Sequence, residues 1–422
     1  MTPMPRQITR VGGAVAAVAI ALSCVSCTTT VVGSPNPQAA CSWQTAQPTG
    51  TEPTDTSDTV VLIDISGSFW PKAGQQASLP DDPAAVAVNM LLKAFDMAGT
   101  RLVSFGTFDG SSATVDWKLA DAELPLPTGD SAEIAAEQQS AQSCLTSTVN
   151  SAVTATPQVP GTDVMAALAA AGQQLQGIPA SAHKNVVLIT DGLSNQGCLN
   201  LSNVISKGQS APNVLNSCPE RATLALLRGV SLQLDGIGYQ ATQPPLDTAE
   251  QAWVQSYWTD MCIALQVASP TSCETAPGRD TIRVSDGSRL ADPAIKFPSV
   301  SGQTTVVPIP SDLLFAFNSA TLSASGQAYL TLLAGQIKAV GRGITKVIGH
   351  TDATGSASYN LSLSRRRADA VSAYLAAHGF AKVSAVGVGA SDPACTPQYT
   401  PAGVPIPSCM AQDRRVQIML GA

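Results

Sequence analysis

Apolar positions along this chain fall into two textures: short continuous runs, and longer stretches spaced at three and four residues. Thr59-Val-Val-Leu-Ile-Asp64 and Asn185-Val-Val-Leu-Ile-Thr190 are continuous and end in polar loops. A strand reads this way when both of its faces are covered, as in a parallel sheet. Further strands are predicted at 101–108, 113–117 and 231–238, and helices at 83–97, 163–175, 220–228 and 248–267. Strands alternating with helices imply a doubly wound α/β sheet.

After a Pro-, Ser- and Gly-containing stretch at 286–303, the pattern resumes in a second unit. Strands are predicted at 304–309, 345–350, 383–388 and 414–419, with helices at 323–339 and 358–378. That is an α+β unit of βαβαβ type. The resulting division is a signal at 1–24, a Thr-, Pro- and Ser-rich tether at 25–57, the α/β domain at 58–285, a linker at 286–303 and the α+β domain at 304–422.

The first segment changes the cellular picture. Arg6 and Arg10 precede a short apolar run at 11–22, which reads as an export signal and is too short to span a bilayer. It ends in Ala-Leu-Ser-Cys24, similar to the lipobox of bacterial lipoproteins, so Cys24 is the expected lipidation site. Cys27 is a poorer alternative, and an ordinary cleaved signal is the other reading. Eight further cysteines in an exported chain imply disulfides. Sequence proximity favours Cys198 with Cys218, Cys262 with Cys273 and Cys395 with Cys409, leaving Cys41 with Cys144.

Of 422 residues only 13% are charged, and the net charge of −7 argues against a nucleic-acid partner. From residue 300 onward there are nine Lys and Arg against five Asp and Glu, a local excess of +4, whereas the rest carries −11. A basic C-terminal part suits an anionic polymer such as cell wall.

Candidate chemistry gathers at two places. Asp64, Ser66 and Ser68 alternate at the carboxyl end of a predicted strand, Thr162 precedes a helix, and Asp191 ends another strand. Carboxylates and hydroxyls delivered from one sheet edge suit a hard divalent cation, Mg²⁺ or Mn²⁺. Alternatively, the two acids only satisfy loop amides and cap helices. Asp-x-Ser-x-Ser, then Gly-Thr-Asp, then Thr-Asp-Gly, in that order, resembles the von Willebrand factor type A domain over roughly 59–267. That resemblance implies a metal-ion-dependent adhesion site at Asp64, Ser66, Ser68, Thr162 and Asp191. It also implies a protein partner whose acidic residue reaches the metal. Two features depart from the pattern: the Cys198–Cys218 region inserts a loop beside the site, and the bulky Phe69-Trp70-Pro71 stretch just after Ser68 is expected to cover it.

In the second unit, Gly349-His-Thr-Asp352 runs off a strand, and Asn360, Leu363, Ser364 and Arg367 share a face of the next helix. A carboxylate and a guanidinium at such a place either pair or split across a zwitterion, with Asp352 taking an ammonium and Arg367 a carboxylate. These segments, with 314–320 and Asp413-Arg-Arg-Val416, resemble the OmpA-like peptidoglycan-binding family over the whole unit. The resemblance implies that Asp352 and Arg367 bind the diaminopimelate end group of a stem peptide, with Thr351, Asn360 and Asn318 lining the pocket. It also implies a cysteine-closed loop at Cys395 and Cys409. His350 reads as a loop hydrogen-bonder, His378 as a helix-end residue, and Arg365 and Arg366 as solvent-facing.

The expected function is a non-enzymatic envelope adaptor, lipid-anchored to a membrane and gripping peptidoglycan while the first domain binds a protein. A metal-free tether and an enzyme of wall metabolism are the alternatives. Ser181-Ala-His-Lys184 has the spacing of a Ser-x-x-Lys catalyst but lacks that class's partner motifs.

Overall fold

The structure, a computed structural model, describes residues 56–421 apart from 71–75, 80–81, 97–99, 112–114, 125–128, 179–181, 242–244, 270–272, 274–279, 284–289 and 382. Cys24, Cys27, Cys41 and the predicted tether lie outside the described residues. The first lobe contains β1 (Thr56–Asp64), β2 (Gln76–Leu79), α1 (Pro83–Lys93), β3 (Thr100–Phe108), β4 (Asp116–Glu123), α2 (Ser131–Val153), α3 (Val164–Gln174), β5 (His183–Ile189), α4 (Leu201–Lys207), α5 (Ala211–Ser217), α6 (Arg221–Leu224), β6 (Ser231–Asp235), α7 (Thr248–Leu265) and β7 (Asp280–Arg283).

Its sheet runs in the order β4-β3-β1-β5-β6. The four strands β3, β1, β5 and β6 are parallel, while β4 is antiparallel to β3. The doubly wound expectation therefore describes the centre, and the sheet as a whole is mixed. The reason is the connection: seven residues between β3 and β4 are too few for a crossover helix. The continuous apolar runs now have a cause. Along β1, Val60 and Leu62 enter the core beneath α3 and α7, and Val61 and Ile63 enter the opposite core with α1 and α2. On β5, Val186 and Leu188 divide from Val187 and Ile189 in the same way.

Several elements depart from expectation. The strand expected at 113–117 lies at Asp116–Glu123, and the helix expected at 220–228 is α6 followed by a 3-10 turn at Ala225–Leu227. The helices α2, α4 and α5, and the antiparallel ribbon of β2 with β7, were not anticipated. Only the second half of α2 buries apolar side chains, so its periodicity is weak. Its signal is the capping box, with Asp130 accepting from Glu133 and Glu133 reaching back to the Asp130 amide.

The second lobe comprises β8 (Val306–Pro310), α8 (Ser311–Leu314), α9 (Ala324–Ala339), β9 (Gly343–His350), α10 (Ala357–Ala377), β10 (Ser384–Gly389), α11 (Pro407–Asp413) and β11 (Arg415–Gly421). The sheet order is β10-β9-β11-β8, with β11 antiparallel to both neighbours. A glycine is required where α10 crosses β9: a Cβ on Gly349 would meet the Ser364 carbonyl oxygen at 2.1 Å.

The segment read as a linker is not a spacer. Pro293 O accepts from Asn195 Nδ2, the Lys296 amide donates to Ser202 Oγ, and Pro298 O accepts from Gln336 Nε2. Phe297 meets the Trp253 ring edge-on at 5.8 Å. Helix α7 packs along α9, and Ser325 donates from its amide and hydroxyl to Asp260 Oδ2 at 3.2 and 2.5 Å. One hydrophobic core runs from the α3–α7 side of the first sheet into the second lobe.

Disulfides join Cys198 to Cys218, Cys262 to Cys273 and Cys395 to Cys409. Cys144 is also disulfide-bonded. No helix among the described residues is long and apolar enough to cross a membrane.

Candidate functional site

The carboxyl ends of β1 and β5 lie side by side, because the two strands pair in parallel up to Ile63 and Ile189. Asp64 and Asp191 therefore emerge together, and the Thr162 loop joins them. Asp64, Ser66, Thr162 and Asp191 are fully buried, and Ser68 is 6% exposed. Each acid spends one oxygen on its own loop: Asp64 Oδ1 accepts from the Ser66 amide at 2.8 Å, and Asp191 Oδ1 from the Leu193 amide at 2.9 Å. Asp64 Oδ2 accepts from Thr190 Oγ1 at 2.6 Å, and the Ser66 and Ser68 hydroxyls stand 3.2 Å apart. Neither acid caps a helix; Asp163 does so for α3.

Two oxygens are left over. Thr162 Oγ1 and Asp191 Oδ2 are buried without a hydrogen-bond partner. Burial, and then the charge of Asp191, pushes the Asp64 carboxyl well above the usual range. Burial lifts Asp191 to about 7, with Asp292 adding repulsion against the pull of the Leu193 amide and the Ser68 hydroxyl. Two buried carboxyls with orphaned oxygen ligands are the donor set of a hard divalent cation, so the residues fit one.

Supporting residues escaped the sequence. Asn195 Oδ1 accepts from the Thr162 amide at 3.0 Å, and Asp109 Oδ2 accepts from the Gln158 and Val159 amides at 2.5 and 3.0 Å, shaping the loop before Thr162. Phe69 and Trp70 do not cover the site as expected. They are 1% and 4% exposed, pack into the core beneath it, and Trp70 Nε1 donates to the Asp64 carbonyl at 2.6 Å. The Cys198–Cys218 region folds into α4 and α5.

The second constellation lines a pocket of about 560 Å³ in which Asp352, Arg367, Thr351, Asn360 and Asn318 all meet. Arg367 is 3% exposed; its Nε donates to Ser319 O at 2.8 Å and its guanidinium lies 5.3 Å over the Phe315 ring. Burial pulls its pKa below the usual guanidinium value, against the opposing charge of Asp312. No described residue accepts a hydrogen bond from its Nη groups. Asp352 does not pair with it. Asp352 Oδ1 accepts from the Thr354 amide, and Oδ2 from Arg414 Nη1 at 2.9 Å. Arg414 also donates from Nη2 to Asp312 at 3.0 Å. Burial works against the Arg414 charge, but the two carboxylates outweigh it and raise its pKa.

The remaining expected residues divide by task. Asn360 Nδ2 donates to the carbonyls of Asp352 and Thr354, which makes it a brace for the loop. Thr351 Oγ1 is buried without a partner. Asn318 sits at φ 58° and accepts from the Tyr359 hydroxyl. Arg414 was legible only as part of a motif, and its neighbour Asp312 carried no signal at all. Pro405, Pro407 and Met410, from the disulfide-closed loop and α11, form part of the rim, and Ser210 and Asn213 of the first lobe line the same pocket. His350 is buried and shares a hydrogen bond with Gln417, while His378 is the C-cap of α10. Arg365 and Arg366 bond to Asp369 and Ser362 on the exposed face of α10.

The profile of the OmpA family matches residues 314–401. Those residues are OmpA-like. Outer membrane protein A of Shigella flexneri is 40% identical over 127 residues, covering 29% of this chain and 36% of that protein. Outer membrane protein P5 of Haemophilus influenzae is 36% identical over 132 residues, covering 30% and 37%. The chain thus spans little more than a third of the length of these relatives. Among solved structures, the cell wall anchor of the T6SS from Pseudomonas aeruginosa is 30% identical, with 28% of this chain and 80% of that one covered and a TM-score of 0.24. The peptidoglycan-associated lipoprotein from Burkholderia pseudomallei is 29% identical, covering 28% and 91%, with a TM-score of 0.21. The OmpA-like stretch contains Asp352, Arg367, Thr351, Asn360 and Asn318, and ends before Arg414.

Proposed function

We propose that this chain is a non-enzymatic adaptor of the bacterial cell envelope that grips peptidoglycan through its OmpA-like domain. The observation that carries the reading is the pocket in which an acid and a buried guanidinium with free Nη groups face the same space without pairing. Such a pair matches a zwitterion: Asp352 receives an ammonium and Arg367 a carboxylate, as at the end of a diaminopimelate side chain. Arg414 holds the acid ready, and Thr351 Oγ1 offers a further polar contact. The disulfides suit an oxidising compartment outside the cytoplasm. A lipid on Cys24 would hold the chain to a membrane. The decisive experiment is pull-down on diaminopimelate-type sacculi. Asp352→Ala and Arg367→Ala are each expected to abolish it, and unchanged binding in both variants sinks the assignment.

The first lobe is read as von Willebrand factor A-like, with Asp64, Ser66, Ser68, Thr162 and Asp191 holding Mg²⁺ or Mn²⁺ and a protein as the partner. The orphaned Thr162 and Asp191 oxygens favour this over a metal-free tether. Bound there, the cation would supply a positive centre for an acidic group. The catalytic alternative gains nothing from Lys184, whose ammonium donates to the Ile178 carbonyl at 2.9 Å.

A further inference from the structure

The segment just ahead of the second lobe places a third carboxylate at the cation site. Asp292 Oδ2 accepts from the Ser68 amide at 2.6 Å, and Oδ1 accepts from the Gly161 amide at 2.8 Å. Ser68 ends the first ligand loop, and Gly161 immediately precedes Thr162. The same segment reaches the third loop, since Pro293 O accepts from Asn195 Nδ2 at 3.1 Å. Its approach is close: a Cβ on Gly67 would meet the Leu290 carbonyl oxygen at 2.0 Å. So one short piece of chain touches all three loops that carry Asp64, Thr162 and Asp191.

Asp292 adds a third acid to the group: its charge acts on Asp191, as the charge of Asp191 acts on Asp64, and like charges repel. The hydrogen bonds from two amides hold Asp292 in place, but they do not neutralise it. The buried oxygens of Thr162 and Asp191 remain without partners beside it. A divalent cation resolves both facts at once. It takes the orphaned oxygens as ligands and offsets the third charge.

We propose that Asp292 is an internal acidic ligand of this cation site, standing where an acidic residue of another protein would otherwise bind. The inference rests on the cation reading given above. Its consequence is that residues 290–293 form a clasp. The site is closed by the chain's own carboxylate, and an outside acid gains access only when the clasp lifts. The clasp is suited to lifting, because Leu290 is 39% exposed and the segment runs over the surface. The clasp also belongs to the strand of chain that leads directly into the OmpA-like lobe through Lys296, Phe297 and Pro298.

The test uses the full chain and Mn²⁺ as the probe, with affinity measured by titration calorimetry. Wild type is expected to bind one ion, Asp64→Ala none, and Asp292→Ala and Asp292→Asn about tenfold more weakly than wild type. Acetate is expected to restore affinity to Asp292→Ala by filling the vacated position, and to leave wild type unchanged. Amide hydrogen exchange at 290–296 is expected to slow on adding Mn²⁺ in wild type but not in either Asp292 variant. If both Asp292 variants bind Mn²⁺ as tightly as wild type while Asp64→Ala does not, the clasp is refuted and the cation site stands. If wild type binds no Mn²⁺, the cation reading falls and takes the clasp with it. The near-isosteric Asn variant keeps the answer interpretable should the Ala variant misfold.

Discussion

The Asp352 carboxylate is held by Arg414, with Nη1 to Oδ2 at 2.9 Å, and not by Arg367 one helix away. Two cations and two acids share the pocket wall, and the pairing chosen leaves the buried Arg367 guanidinium with its Nη groups unspent. Arg414→Gln removes the brace while keeping the Asp352 charge. Asp312 and Asp352 then face each other uncompensated. We expect a stability loss of about 1–2 kcal/mol and sacculus binding weakened several-fold, in contrast to its abolition on losing Asp352. Denaturant melts and the pull-down together check this.

The proposed cation site predicts that Mg²⁺ or Mn²⁺ stabilises the folded first lobe by mass action. At a free concentration about a hundred times the dissociation constant, the gain is about 2.7 kcal/mol, which shifts the melting midpoint by several degrees. Mg²⁺ or Mn²⁺ should raise the midpoint relative to chelator in wild type. Asp64→Ala should respond to neither ion.

Asp58, at the start of β1, is fully buried, and neither of its carboxyl oxygens has a hydrogen-bond partner. Burial, then repulsion from Asp121, raises its pKa from 3.8 to about 7. The protonated acid is therefore the form the fold prefers. The fold carries no penalty from Asp58 below about pH 4, loses stability as the pH climbs from there, and carries the full penalty above about pH 7. Asp58→Asn should stabilise the protein by about 1–3 kcal/mol at pH 8 and change little at pH 4. Equal effects at both values would show that ionisation is not the cause.

The Cys395–Cys409 loop reaches the binding pocket in two ways. Pro405 lies on the rim, and Gln398 Oε1 accepts from the Ala353 amide at 2.7 Å, next to Asp352. Opening it in a Cys395→Ser, Cys409→Ser double variant should cost about 3 kcal/mol in the chain-entropy view. Sacculus binding should fall as well, because the Asp352 loop loses a support. A variant that loses stability and binds normally would separate the loop from the pocket.

Gly349→Ala forces a Cβ against the Ser364 carbonyl, where backbone cannot yield. We expect a loss above about 2 kcal/mol and a second lobe that no longer seats α10 on β9. Thermal melting of the variant checks it.

What the sequence disclosed follows from the range of its interactions. The continuous runs at β1 and β5 announced a covered parallel sheet, since each residue reports its own burial. Asp64, Thr162 and Asp191 were legible because strand ends and helix starts mark themselves locally. The direction of β4 was not read, since an apolar run reports burial and not direction, and only the shortness of the connection after Phe108 shows that no crossover helix fits there. Nor was the Arg414 to Asp352 pairing, which spans 62 residues, or the Asp292 contact with Ser68, which spans 224. The stretch at 286–303 looked like a spacer because Pro and Ser dilute its apolar content. From Leu290 onward it is held by backbone groups of Pro293, Lys296 and Pro298, invisible in side-chain pattern, and by the isolated side chains of Asp292 and Phe297, whose partners lie far away in sequence.

The seam between α7 and α9 bears on how this molecule would carry force. If one end is held by a membrane and the other by a rigid polymer, tension crosses a broad packed face and must shear it all at once. A string-like connection would instead peel one contact at a time. The two halves would then respond as a single stiff strut, and a cut between them would leave each with a raw greasy surface instead of a clean end.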